Sequence, residues 1–290
     1  MGTSSLPDTP PLHCVKVTSG GATRTPSRWL YFLHGILGMG ANWRSIARRW
    51  VDRHPDWGAV LVDLRMHGRS QAALPPHTLL AAARDLERLE ATTGARCAAI
   101  CAHSFATKVA LCYATAAPAA MQHLWLLDAD PSPQPARPTA PVTIARTDQV
   151  DRVLAALADI PTRFADRAQF IQTLEAHHLA TSVAAWLAMN LEPGVDGWRL
   201  RLDLAAIHEL LADYRACDGW RLLDQTRADL PITFVVGDHS PVVDADARFR
   251  MQALALSHPA TRRYTSLANA GHWLHIDAPE LLVEQLAVEF

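Results

Sequence analysis

Short apolar runs closed by turn or polar residues recur along the 290-residue chain: WLYFLHG (29–35), GAVLVDL (58–64), RCAAICAHS (96–104), HLWLLDAD (123–130), PITFVVGD (231–238) and RRYTSLA (262–268). Each is strand-length. Most are apolar at successive positions rather than alternating, as expected of strands covered on both faces. Helical periodicity fills the spaces between them; in TLLAAARDLERLEA, Leu79, Ala83, Leu86 and Leu89 fall on one face. This alternation predicts an α/β protein with a mostly parallel, doubly wound sheet.

The rhythm breaks once. Residues 131–230 carry no strong strand signal, open with the proline-rich DPSPQPARPTAP and continue as helical stretches such as DQVDRVLAALADI and LDLAAIHELLADY. The expectation is a core made of 13–130 and 231–290, a helical cap inserted over 131–230, and a flexible Pro- and Ser-rich segment at 1–12.

Composition narrows the function classes. With 49% hydrophobic and 19% charged residues the chain can bury a large core, and a net charge of −2 gives no reason to expect nucleic acid or an anionic membrane as partner. Five cysteines without a CxxC pair fit free thiols in a reducing compartment better than a disulfide framework. No leader-like segment and no apolar run near ~18 residues is found, so a soluble, cytoplasmic protein without a membrane span is expected. No His, Cys and carboxylate cluster has ligand spacing, and GILGMG (35–40) follows neither phosphate-binding fingerprint; neither a metal nor a cofactor is expected. Oligomeric state leaves no sequence signal.

Parallel sheets gather ligands at the carboxyl ends of their strands. The polar residues at those ends are His34, Asp63, Ser104, Asp128 and Asp238, with His272 just past the last strand. Ser104 is a candidate nucleophile. It needs a base, for which His272 in NAGHWLH is placed, and a pair of N–H donors for an oxyanion. The backbone amides of Ile36, after His34-Gly35, and of Phe105, directly after the serine, are the candidates.

LHGILGMGANW, VDLRMHGRS, AHSFATK and NAGHWLH, in this order, together resemble the α/β-hydrolase family. Their spacing is similar to that of small bacterial esterases and their mitochondrial relatives, and NLEPGVDGWRLRLDL (190–204) resembles a cap segment of the same group. The likeness spans roughly 30–285. It implies the α/β-hydrolase fold and a serine hydrolase acting through an acyl-enzyme on Ser104, with a small-molecule acyl ester or thioester as substrate. The triad acid of many such enzymes follows the penultimate strand as G-x-x-D, but here GDHS places Ser240 there. The resembling esterases carry it after the strand that follows the elbow helix, which implies Asp128, with Asp130 and Asp238 as the alternatives. The usual elbow glycines are Ala102 and Ala106, a departure of one methyl at each side of the turn. His34, Leu37, His103, Trp186 and Trp273 are the residues expected to line the substrate, His34 also ordering the loop and His103 also packing beside the serine. Asp63, Arg65 and His67 are expected to hold that loop structurally. C–C bond hydrolysis, lyase or haloperoxidase chemistry on the same triad is the alternative, as is a degraded site that only binds a small molecule.

Overall fold

The computed structural model describes residues 9–21, 25–116, 120–134 and 141–286, with side chains from 149 onward in the helix that begins at 141. Most of the expected flexible segment (1–8) and part of the proline-rich linker (135–140) lie outside the described residues. In chain order the strands are β1 (Cys14–Thr18), β2 (Arg28–Leu33), β3 (Trp57–Val62), β4 (Cys97–His103), β5 (His123–Leu127), β6 (Arg163–Phe164), β7 (Leu191–Gly194), β8 (Gly197–Leu200), β9 (Ile232–Gly237) and β10 (Arg262–Leu267). The helices are α1 (Arg44–Arg53), α2 (Leu79–Thr93), α3 (Ala106–Thr115), α4 (Pro141–Asp159), α5 (Arg167–Ala176), α6 (Thr181–Leu187), α7 (Leu204–Ala216), α8 (Gly219–Gln225), α9 (Ala245–Ser257), α10 (Leu274–Asp277) and α11 (Pro279–Gln285).

Each of the six apolar runs forms a strand of one sheet, ordered β1-β3-β2-β4-β5-β9-β10 and parallel apart from β1, which runs antiparallel to β3. Side chains alternate between two cores. Tyr31 and Leu33 of β2 pack with Leu86 and Leu89 of α2 and Val109 of α3, whereas Leu30 and Phe32 pack with Ile46 and Trp50 of α1 and Leu282 of α11. The face read from the sequence of α2 is the buried one. That helix starts on Thr78, whose hydroxyl accepts from the Ala81 N–H at 3.1 Å, and stops at Gly94, the left-handed cap with φ 64°.

The interval between β5 and β9 differs from the purely helical expectation. Alongside α4 to α8 it forms a small antiparallel sheet, β6-β8-β7. Pro193 and Gly194 stop the helical pattern. A tight turn at Val195-Asp196 then returns the chain, with Gly194 paired to Gly197. Gly197 has φ 116°, and a Cβ there would lie 2.4 Å from the Phe164 carbonyl, so only glycine fits. Among the described residues no helix is long and apolar enough to cross a membrane.

A fully buried lysine fastens this interval to the core. Lys108 on α3 points its ammonium at three backbone carbonyls, those of Ser132 (3.0 Å), Tyr214 (3.0 Å) and Cys217 (2.8 Å), with the Tyr214 ring 4.4 Å away. A buried cation is tolerated only when its donors are satisfied, and here carbonyl dipoles satisfy all three. The free thiols of Cys112, one turn along α3, and Cys217 face the same junction and influence each other's titration, Cys112 being pushed up and Cys217 down. Lys108→Met is expected to lower the unfolding free energy by about 2–4 kcal/mol, because three buried acceptors lose their donor. Burial pulls the Lys108 ammonium from 10.5 down to about 8. The unfolded chain therefore binds a proton that the folded chain has released, and the lysine's contribution to stability grows as pH rises from about 8 to 10. Urea unfolding of wild type and variant should show the deficit widening over that window; a deficit that narrows there contradicts this account.

Candidate active site

Strand register brings the candidate residues together. β4 and β5 pair in parallel with His103 opposite Leu127, and β5 pairs with β9 with Leu127 opposite Val235. The ladder continues one step beyond each strand: the Ser104 N–H donates to the Leu127 carbonyl (2.9 Å) and the Asp128 N–H to that of Val235 (2.8 Å). Ser104 and Asp128 thus leave adjacent strands at the same carboxyl edge. Both are left-handed, with φ 54° and 46°, a conformation that costs a non-glycine residue about 1–3 kcal/mol. The elbow at Ser104 is held on its other side by Thr107, whose N–H (3.0 Å) and hydroxyl (2.7 Å) both donate to the Ser104 carbonyl. Ala102 lies in β4 and Ala106 opens α3; both are fully buried in one core, so their methyl groups are absorbed as packing.

Asp128 is wholly inaccessible to water and its carboxylate meets three donors. Oδ1 accepts the Gly237 N–H at 2.9 Å; Oδ2 accepts the Ser240 hydroxyl at 2.5 Å and His272 Nδ1–H at 2.7 Å. Of the three carboxylates weighed, this is the one that meets His272. Asp238 instead accepts the Ala270 N–H at 3.1 Å, fixing the histidine loop, and Asp130 closes a local turn on the Ser132 N–H at 2.8 Å. Loop and β9 approach so closely that a Cβ on Gly237 would sit 2.3 Å from the Gly271 carbonyl and 2.5 Å from that of Ala270.

His272 packs against His103, ring centroids 4.6 Å apart, and accepts at its backbone carbonyl from His103 Nε2–H at 2.8 Å. Burial, and then the neighbouring imidazole of His272, push His103 well below the usual histidine range, so it is a neutral, buried buttress. Its Nε2 is committed to the histidine loop. His275, one turn further, is pushed down to about 4 by burial. Trp273 and Trp186, from the core loop and from α6, meet with centroids 5.5 Å apart, both half-buried.

The turn after β2 completes the site. Gly38 N–H donates to the Gly35 carbonyl at 3.0 Å, and His34 Nδ1–H donates to the same oxygen at 2.7 Å. The Leu64 N–H donates to His34 Nε2 at 3.0 Å, which fixes the tautomer. His34 is therefore buried with both nitrogens engaged by the backbone of this turn and of Leu64. Leu37 is buried in the core at φ 63°. Gly35 comes close to the elbow: a Cβ on it would lie 3.3 Å from Ser104 Cβ. Gly35, Ile36, Ser104, His272 and Trp273 keep partial exposure amid buried neighbours.

Asp63, Arg65 and His67 hold this turn from behind. The Asp63 carboxylate accepts N–H groups from Gly40 and Arg69, each at 2.8 Å, and contacts His13 Nδ1 at 3.0 Å. Arg65 forms a buried pair with Asp85 at 2.7 Å. The His67 ring lies 5.0 Å from that of His34 and 6.3 Å from Phe105, and burial pushes it to about 3.

Sequence reasoning gave no role to Ser240, Lys108 or Asn190. Ser240 stands in the acid's place of the G-x-x-D pattern, and that position is the one signal that could have marked it as a partner of the acid.

Comparison with known proteins agrees with this architecture. Residues 28–279 match the family described as alpha/beta hydrolase fold. The sn-1-specific diacylglycerol lipase ABHD11 of Danio rerio is 29% identical over 286 residues, covering 96% of this chain and 82% of that protein. Esterase YbfF of Escherichia coli (strain K12) is 26% identical over 261 residues, covering 89% and 91%. Among solved structures, a marine microorganism esterase superposes with a TM-score of 0.76 at 22% identity, covering 95% of this chain and 97% of its own. Matched over most of its length, the chain belongs to the alpha/beta hydrolase fold family.

Proposed function

We propose that this protein is a serine hydrolase of carboxylic esters or thioesters, with Ser104 as nucleophile, His272 as base and Asp128 as the acid that orients it. The observation that carries the reading is the 2.7 Å contact of His272 Nδ1 with a buried Asp128 one strand from a left-handed Ser104. The esterase and lipase names of the relatives support the same substrate class.

The chemistry follows from the tautomer. Asp128 holds the proton on His272 Nδ1, which leaves Nε2 as the free base. Ser104 Oγ attacks the acyl carbon and gives its proton to Nε2. The oxyanion is received by the N–H groups of Ile36 and Phe105. The Gly35–Ile36 peptide is planar, so its carbonyl and the Ile36 N–H point opposite ways; the donors from His34 and Gly38 on that carbonyl therefore aim the N–H. Phe105 N–H opens the free amino end of α3, where helix dipoles favour negative charge. The tetrahedral adduct collapses, the leaving alkoxide or thiolate takes the proton from His272, and an ester on Ser104 remains. Water, deprotonated by the same nitrogen, releases the acid and restores the serine. Residues 131–230 act in this reading as a cap, with Trp186 and Trp273 as the apolar wall against the acyl group.

A fluorophosphonate probe is expected to label the wild type and to fail on Ser104→Ala and His272→Ala; a folded wild type that takes no label overturns the assignment. Asp128→Asn should reduce kcat by about 10⁴, as loss of the orienting carboxylate does in comparable triads. Asp238→Asn should leave most activity, and equal losses in steady-state assays would move the acid elsewhere. Trp186→Ala should raise KM for p-nitrophenyl esters of long acyl chains by about tenfold, as expected for roughly 1.4 kcal/mol of lost apolar contact, while that for the acetate stays put. A uniform change across chain lengths would take Trp186 out of the acyl wall.

A further inference from the structure

We propose that Asn190, from the interval inserted between β5 and β9, is a positioning residue for the oxyanion turn, so that the inserted segment sets the rate of acyl transfer as well as the choice of substrate. The inference rests on the hydrolase reading above and deepens it.

Asn190 is 1% exposed and reaches the core turn across 153 residues of sequence: its Nδ2 donates to the Leu37 carbonyl at 2.9 Å. A backbone carbonyl only accepts, so the amide group rather than its oxygen must face Leu37. The Asn190 main-chain carbonyl accepts the Arg201 N–H at 3.0 Å, which fixes the residue where β7 begins. Met189, its neighbour, accepts at its sulfur from Asn42 Nδ2 at 3.6 Å, and Asn42 Oδ1 in turn accepts the Met39 N–H at 2.8 Å. Two consecutive residues of the insertion therefore grip the two halves of the segment 37–42.

The turn needs such a grip. Leu37 is not glycine, yet stands at φ 63°. Left to itself it would relax to a negative φ and rotate the Ile36–Leu37 peptide, whose N-terminal neighbour carries the Ile36 N–H. His34 and Gly38 fasten the entry of the turn at Gly35; among the described contacts, the side chain that fastens the Leu37 carbonyl is Asn190. Its choice of residue is otherwise uneconomical. The Asn190 Oδ1 is buried without a hydrogen-bond partner among the described residues, and an unsatisfied buried acceptor is destabilising where a leucine of similar volume would not be. A residue kept there only for packing would be apolar.

Because Asn190 acts on the oxyanion amide and not on the substrate, its loss should appear in kcat and not in KM. In Asn190→Leu and Asn190→Ala, hydrolysis of p-nitrophenyl acetate should show kcat reduced by about 10–100-fold, short of the ~10²–10³ for removing an oxyanion donor outright, with KM within about twofold. Affinity for an acyl trifluoromethyl ketone, which forms a tetrahedral adduct on serine, should fall by the same factor. Leu37→Gly in either background should recover part of kcat, since glycine holds the left-handed turn without help. Folded variants with wild-type kcat, a loss confined to KM, or a loss that Leu37→Gly deepens would overturn the proposal. If one variant fails to fold, the other and its Leu37→Gly partner decide the question. Failure of the underlying hydrolase reading is seen separately, as a wild type that neither turns over ester nor takes the fluorophosphonate label.

Discussion

A carboxylate with no access to water is stable only where the protein supplies its hydrogen-bond donors, and Asp128 is that carboxylate here. Its donors come from three segments distant in sequence: the end of β9 through Gly237, the following turn through Ser240, and the loop after β10 through His272. Drift of Gly237 would leave Oδ1 without a donor, and drift of Ser240 or His272 would take one of two donors from Oδ2. The demand therefore fixes the spacing of β5, β9 and the histidine loop together. The glycine at 237 is a second expression of it, because the loop closes on the strand to a distance that leaves no room for a side chain.

Strain is concentrated in the same place. Leu37, Ser104 and Asp128 are all left-handed non-glycine residues, and they stand at the carboxyl edge of three neighbouring strands, β2, β4 and β5. Each is held by donors or acceptors from another element: Leu37 by Asn190, Ser104 by Leu127 and Thr107, Asp128 by Val235 and by the Gly237 N–H, Ser240 hydroxyl and His272 ring on its carboxylate. Backbone geometry that would relax in an isolated loop is thus over-determined by the sheet and the insertion. The buried histidines around it, His34, His67 and His103, are all depressed by burial, so they contribute shape and fixed hydrogen bonds instead of charge.

How much of this is legible in the sequence follows from what each feature depends on. Strands buried on both faces must be apolar at every position, so β2, β3, β4, β5 and β9 announce themselves. The edge strand β1 is half-exposed, and β6 to β8 are two to four residues long, too short for a period to show. Ser104 and His272 stand out because serine and histidine sit where strands end. The carboxylate that meets His272 does not: Asp128, Asp130 and Asp238 are equivalent until strand register puts Asp128 one step from the elbow, and register is a non-local property. The family resemblance supplied that choice in advance of the geometry. What His34 and His103 bond to is illegible for a related reason, since a histidine near a serine looks the same in sequence whether its nitrogens face a ligand or a carbonyl.

Lys108 has a consequence of a different kind. Its three acceptors are main-chain carbonyls, at Ser132, Tyr214 and Cys217. A carbonyl is offered by any amino acid, so the lysine recognises the path of the inserted chain and is indifferent to most of its side chains. Contacts between a cation and dipoles in a dry junction are also little affected by ionic strength, unlike ion pairs at a surface. The insertion can therefore exchange most of its side chains while its seat on the core stays unchanged. A fold anchored in this way can vary the surface of its insertion without having to find a new way to hold itself together.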